Sequence, residues 1–186
     1  MPVKALKELK VSLLALLKKD AFKKGRFVLS SGKISNYYLD GRIITLTPRG
    51  AFLVASIILD LIKDKNIDAI GGPTLGADPI VGAIAALSYI RKKPMDTFIV
   101  RKSSKQHGRM RQIEGPPLKR NSKVILVDDV ATTGKALIEA KEVLNKENIK
   151  VDSAIVIVDR EEGAKDNLYR EGIRLISIFQ AKDFGS

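Results

Sequence analysis

The stretch Val124-Ile-Leu-Val-Asp128-Asp129-Val130-Ala131-Thr132-Thr133-Gly134-Lys135-Ala-Leu137 decides how this chain folds. Four apolar residues with no polar alternation read as a strand buried on both faces, as in a parallel sheet. Two carboxylates follow at the strand's carboxyl end, then a turn of small, hydroxyl-bearing residues and glycine, then an amphipathic helix. In an open α/β sheet, ligands bind outside the carboxyl ends of the strands, and the N–H groups of a helix start attract anions. The segment therefore sets acceptors suited to sugar hydroxyls beside a cradle suited to a phosphate. Paired aspartates after a strand also fit a helix cap with a solvated neighbour. The apolar run before them and the small residues after them favour the ligand site, since backbone approaches a ligand closely only where side chains are small, and Gly134 relaxes the φ constraint. The Gly-x4-Gly-Lys-Ser/Thr order of a Walker A loop does not occur.

Working outward, the pattern predicts an amphipathic helix over 3–19 and a short extended region over 26–44, turning at Ser30-Ser31-Gly32-Lys33. Thr47-Pro48 reads as an N-cap with a first-turn proline, opening a helix to about residue 65. A strand at 68–71, a loop at 72–76, a small-residue helix to about Ile90 and a strand at 98–100 follow. Residues 102–119 lack periodicity and hold Gly108, Gly115 and Pro116-Pro117, which predicts a long loop of the kind that usually carries function. After the opening motif come a strand at 153–159, a short helix near 164–170 and a strand at 173–178. Alternating strands and helices predict an α/β fold with an open, mainly parallel sheet flanked by helices. At 186 residues, without repeats or a linker, the chain reads as a single domain, 1–186.

Composition narrows the function. With no cysteine there are no disulfides or thiolate metal sites. No apolar run reaches membrane-spanning length, and the N-terminus lacks a signal peptide's apolar stretch, so a cytoplasmic protein with no membrane partner is expected. The net charge of +12 is uneven: residues 91–120 carry ten Lys or Arg against Asp96 and Glu114, and residues 1–26 carry eight against two acids. A basic chain raises a nucleic-acid hypothesis, but the 91–120 cluster has almost no interleaved aromatics for stacking bases. The N-terminal lysines share a helix with Leu6, Leu9, Leu13, Leu16 and Leu17 and read as its solvated face. A small polyanionic substrate accounts for the middle cluster more economically than nucleic acid does.

Three further segments gain weight beside the motif. Gly72-Pro73-Thr74-Leu75-Gly76-Ala77-Asp78 is a glycine-bracketed turn after a strand, either a plain tight turn or a second anion site. Arg101-Lys102-Ser103-Ser104-Lys105-Gln106-His107-Gly108 holds four cationic or protonatable groups. Its cations favour the neutral form of His107, the single histidine, which still donates a hydrogen bond to phosphate oxygens. Asp159-Arg160-Glu161-Glu162-Gly163 ends another strand, where Arg160 either clamps a substrate carboxylate with its planar fork or pairs with Glu161 or Asp159.

Taken together, these segments resemble the orotate phosphoribosyltransferases, within the type I phosphoribosyltransferases, from near residue 20 to about residue 180. Phe27-x-Leu29-x-Ser31-Gly32-x-x-Ser35-x-Tyr37-Tyr38 is similar to that family's substrate hairpin, Arg101-Lys102-x-x-Lys105-x-His107-Gly108 to its mobile catalytic loop, and Asp159-Arg160 to the strand end with the orotate-contacting arginine. The chain departs from well-known bacterial members in having Ser30 where they have lysine and no lysine in the 72–79 loop, which throws weight onto Arg101, Lys102 and Lys105.

The resemblance implies transfer of the phosphoribosyl group of 5-phosphoribosyl 1-pyrophosphate (PRPP) to orotate, with Mg2+ supplied alongside the substrate. It implies catalytic roles for Lys105, His107, Asp128 and Asp129, the two aspartates also meeting the metal indirectly. PRPP contacts are implied for Arg101, Lys102, Lys105, His107, Asp128, Asp129, Val130, Ala131, Thr132, Thr133, Gly134 and Lys135, with Thr74, Leu75 and Gly76 at the pyrophosphate. Orotate contacts are implied for Ser31, Gly32, Tyr37, Tyr38, Thr132 and Arg160, under a hood formed by residues 1–45 with the C-terminal end. It further implies a homodimer with shared active sites. A phosphoribosyltransferase for another base, or a nucleic-acid-binding regulator on the same fold, are the competing readings. The hairpin and Arg160 speak against the first; the complete catalytic loop and the lack of an appended nucleic-acid module speak against the second.

Overall fold

Strand β6 (Lys123–Ala131) shows why a sheet covered on both faces forms here. Its side chains alternate: Ile125 and Val127 enter one apolar cluster, Val124 and Leu126 the other, and all four are fully buried. Strand β7 (Lys150–Asp159) repeats the alternation, Ile155 and Ile157 to the first cluster, Ala154 and Val156 to the second. Side chains of period two with both phases apolar must be covered from both sides.

The structure is a computed structural model that describes residues 5–28, 34–102 and 112–185. Among these, β3 (Ala69–Pro73), β4 (Asp96–Val100), β5 (Ile113–Glu114), β6, β7 and β8 (Arg174–Gln180) form one sheet in the order β5-β4-β3-β6-β7-β8. All neighbours are parallel except β5, which pairs antiparallel with β4. Helices α1 (Leu6–Leu16), α3 (Pro48–Ile62) and α4 (Asp78–Ile90) supply the first cluster, while α5 (Lys135–Lys146) and α6 (Ala164–Arg170) supply the second. A separate antiparallel hairpin, β1 (Phe22–Val28) and β2 (Ile34–Leu39), precedes the sheet. Phe22 stacks on Phe184 of the C-terminal turn at 5.3 Å, so the hairpin and the chain's end pack together.

The expected architecture is observed, with shifted boundaries. The first helix ends as α-helix at Leu16 and continues as a π turn, Leu17–Ala21, that buries Leu17 and Ala21. The hairpin begins at Phe22, earlier than expected, and residues Arg42–Thr45 are a helical turn (α2) rather than extended chain. Asp40 causes that turn: its carboxylate accepts from the Arg42 N–H at 3.0 Å and redirects the backbone. Thr47 caps α3 through Gly50 N–H at 3.1 Å, and Pro48 follows as expected, but the helix stops at Ile62. Gly72 and Pro73 belong to β3 rather than to the loop after it. The long loop after β4 contains β5, whose two residues close on Val100 and Ile99.

Candidate active site

The carboxylate pair does not follow strand β6; it lies inside it. Pairing with the long neighbour β7 carries the strand on, with Val130 opposite Val158 and Ala131 opposite Asp159. Arg160 N–H then donates to Ala131 O at 2.9 Å. The aspartates are thereby fixed by a sheet ladder at the carboxyl edge, a stiffer support than a loop. Each uses one carboxylate oxygen locally: Asp128 Oδ1 accepts from Asp129 N–H and Asp129 Oδ1 from Val130 N–H, both at 2.9 Å.

No lysine or arginine hydrogen-bonds either carboxylate among the described residues. Burial raises the Asp128 carboxyl well above its ordinary range, and the charge of Asp129 adds to this. Burial likewise raises Asp129, which also feels Asp40. Lys102 opposes the shift at Asp128, and Arg42 opposes it at Asp129, through space. Two half-buried like charges of this kind gain from any ligand that brings donors or a cation.

The loop between β3 and α4 closes over this pair. A side chain at position 76 would overlap Asp128 Oδ1 and Asp129 Oδ1, so only glycine lets the backbone reach the carboxylates. The preceding Thr74–Leu75 peptide is cis. Thr74, Leu75 and Gly76 line a cavity of about 400 Å³ with Tyr38, Asp40, Arg42, Lys102, Asp129 and Val130. Past β6, Thr132 is half-buried and Thr133 exposed; the Thr133 carbonyl accepts from Asn167 Nδ2 at 2.9 Å. Gly134 has φ +78°, the left-handed turn foreseen for it, and α5 starts at Lys135. The Lys135 side chain points to solvent, 3.7 Å from Glu139.

Tyr37 and Tyr38 face opposite ways along β2. Tyr38 lines the cavity; Tyr37 lies under Arg160, whose guanidinium carbon stands 4.3 Å from the ring centre. Burial pushes the Tyr37 hydroxyl up, with Arg160 opposing. Arg160 is only 6 % exposed. Its Nε donates to Glu162 Oε1 at 2.7 Å and its Nη2 to Ser35 Oγ at 2.9 Å. The ion pair is thus with Glu162 and not with Glu161 or Asp159, because the Asp159 carboxylate turns inward to accept Glu161 N–H at 2.9 Å. Arg101 stands apart from the cavity: it reaches Glu114 at 3.3 Å and lines a groove against α5. Ser31, Gly32, Lys105 and His107 lie outside the described residues.

Sequence reading overlooked Asp40 and Arg42. Asp40 accepts from Arg42 Nε and Nη2, both at 2.9 Å, which holds its carboxyl below the usual range. The signal lay in their adjacency to Tyr37-Tyr38, since a hairpin strand that carries one site residue also delivers the residues just after it.

A family model described as a phosphoribosyl transferase domain matches residues 42–185. The orotate phosphoribosyltransferase of Synechocystis sp. is 40% identical over 171 residues, covering 92% of this chain and 86% of that protein. That of Aquifex aeolicus is 43% identical over 157 residues, covering 84% and 85%. The chain belongs to the orotate phosphoribosyltransferase family. A solved member of this family, from Mycobacterium tuberculosis H37Rv in complex with 5-phospho-alpha-D-ribosyl 1-diphosphate, superposes with a TM-score of 0.79 at 30% identity, over 96% of this chain and 99% of that one. As a phosphoribosyltransferase domain, the chain has the fold and the transferase class expected of its β6 motif.

Proposed function

We propose that this chain transfers the phosphoribosyl group of PRPP to orotate, giving orotidine 5′-monophosphate and pyrophosphate. The observation that carries this is the half-buried Asp128–Asp129 pair, without a cationic hydrogen-bond partner among the described residues, beside an open cavity and a helix start. In this reading the pair holds the ribose hydroxyls and faces the positive charge that grows on the ring as the anomeric bond breaks ahead of attack. Ala131, Thr132, Thr133, Gly134 and Lys135 hold the 5′-phosphate mainly by backbone N–H groups. Thr74, Leu75, Gly76 and Lys102 meet the pyrophosphate. Arg160, Tyr37, Tyr38 and Thr132 meet orotate, with Ser31 and Gly32, under a hood of residues 1–45 and the C-terminal end. Lys105 and His107, with Arg101, serve the leaving pyrophosphate.

The residues present fit Mg2+ carried by the substrate. Among the described residues no group of three or more ligating side chains forms a protein cage, whereas two adjacent half-buried carboxylates suit water-mediated contact with an ion already held by phosphates. Such an ion would neutralise charge on the departing pyrophosphate. We also infer a homodimer with shared sites: Ile43, Leu46 and Leu75, between 42% and 73% exposed, line one open apolar pocket together with Asp40 and Arg42 of the cavity. Among the described residues no helix is long and apolar enough to cross a membrane, in keeping with a cytoplasmic enzyme.

Loss of orotate absorbance in the presence of PRPP and Mg2+, compared with uracil, adenine and hypoxanthine, tests the reaction. Turnover of orotate alone is expected; turnover of a neutral base and not of orotate would overturn the assignment. The shared-site dimer predicts that mixing Lys105→Ala with Asp128→Asn/Asp129→Asn protein restores activity. At full exchange about half the dimers are hybrids with one intact site each, returning roughly a quarter of wild-type activity per site. Demonstrated exchange with no recovery would show that each loop serves its own subunit.

A further inference from the structure

Arg160 is held from three directions, and Glu162 is the part of that support that no substrate role explains. A guanidinium offers five N–H donors in a rigid plane. Here Nε is taken by Glu162 at 2.7 Å, one donor of Nη2 by Ser35 Oγ at 2.9 Å, and one face by the Tyr37 ring. Ser35 is itself fixed, since its hydroxyl donates to Tyr37 O at 2.8 Å and its lone pairs are left to accept. Glu162 sits on a turn that is fixed at both sides: Glu161 accepts Lys182 N–H at 3.3 Å, and Gly163, with φ +102°, starts α6. Among the described residues nothing hydrogen-bonds Nη1. Both Nη1 donors and the second Nη2 donor are therefore left over within the fold, enough to meet a carboxylate.

We propose that Glu162 is a positioning residue for base recognition: by holding Nε it turns the remaining donors of Arg160 toward the substrate and so sets the preference for a base that carries a carboxylate. This rests on the reading of Arg160 as the orotate clamp. Glu162 does a second job in either case, because a buried guanidinium without a counter-charge is unfavourable. The two jobs separate in Glu162→Gln, whose amide oxygen still accepts from Nε while the charge is gone.

The test compares Glu162→Ala and Glu162→Gln with wild type, by steady-state kinetics varying orotate and PRPP separately, with melting temperatures alongside. Glu162→Ala is expected to raise the KM for orotate on the order of tenfold, as misdirecting a clamp does, with kcat and the KM for PRPP near wild type. Glu162→Gln is expected to stay within about threefold of wild type on every constant. Equal defects in the two variants would show that charge and not orientation matters, and would overturn the proposal. So would a wild-type KM for orotate in Glu162→Ala, or a rise in both KM values together with a fallen melting temperature, the mark of a merely structural role. If the wild-type protein does not consume orotate, it is the functional reading that has failed, which the first measurement reveals before any variant is compared.

Discussion

Strand β6 is charged at both ends, and the two ends are settled in opposite ways. At its amino end Lys123 reaches Asp152 Oδ1 at 2.8 Å, while Lys65 reaches the other oxygen at 2.6 Å. At its carboxyl end Asp128 and Asp129 share a half-buried edge with no cation bonded to either among the described residues. The titration directions follow: Lys123 and then Lys65 hold Asp152 far below the usual carboxylate range, whereas burial lifts Asp128 and Asp129 above it. One carboxylate is paired within the fold, and the other two are the pair proposed above to meet the ribose and its metal. The same residue type is thus a brace at one edge of the sheet and, in the proposed function, a site at the other, and what distinguishes them among the described residues is whether a cation is bonded to the carboxylate.

The strongest way to break this comparison is to neutralise both ends in separate proteins. Asp128→Asn with Asp129→Asn should lower kcat by roughly 10²–10³, the scale set by losing preorganised charge at a reacting centre. Its melting temperature should hold or rise, because two half-buried repelling carboxylates are replaced by neutral amides. Near wild-type turnover in a folded double variant would remove the ribose site from this edge.

Arg160→Ala comes next in size. A charged hydrogen bond to substrate is worth about 1.5–3 kcal/mol, or roughly ten- to a hundredfold in the KM for orotate, with the KM for PRPP less affected. Whereas the aspartates accept from adjacent backbone N–H groups, Arg160 has side-chain partners that include a counter-charge: Glu162, Ser35 and Tyr37. Some loss of melting temperature is therefore expected with it, and a large loss with no change in either KM would make Arg160 a brace like Asp152.

The same contrast explains what could be read from sequence. The β6 turn was legible because its signals are local: a four-residue apolar run, a carboxylate pair and a glycine at φ +78° lie within eleven residues. Helix α6 was legible to the residue for the same reason, with Gly163 before it and Gly172 just after. Contacts made across the fold were not legible. Nothing near Arg160 in sequence announces Ser35, 125 positions away, and the choice of Glu162 over Glu161 depends on the turn that points Asp159 inward. Asp40 and Arg42 were missed because their importance comes from standing opposite Asp129, which only the packing of the hairpin's exit against β6 brings about. Strand β6 was placed too short because its length is set by its partner β7 rather than by its own apolar run.

The smallest expected effect sharpens the comparison most, because it is a difference in sign. Asp152→Asn leaves Lys65 and Lys123 facing a neutral amide. The lysine side chains are 31% and 53% exposed, so solvent screens much of the attraction, and the loss should be about 1 kcal/mol. For a chain of this size that is a fall of roughly 2–4 °C in melting temperature, with kcat unchanged, since the network lies at the opposite end of β6 from the cavity. Acid should separate the two ends further. Asp152 has a folded pKa below its unfolded value, so its contribution is complete above about pH 4 and is lost as pH falls from there toward the folded value. Asp128 and Asp129 have folded pKa values above their unfolded ones, so their ionisation opposes folding at neutral pH, and that opposition is relieved as pH falls through the raised values. Measured from pH 7 downward, Asp152→Asn should flatten the final loss of stability below pH 4, while the double Asn variant should remove a gain that wild type shows at higher pH. If the two variants change the stability–pH curve in the same direction over the same range, the brace and the proposed site are not electrostatic opposites, and the absence of a bonded cation at Asp128 and Asp129 among the described residues loses its meaning as the mark of a binding edge.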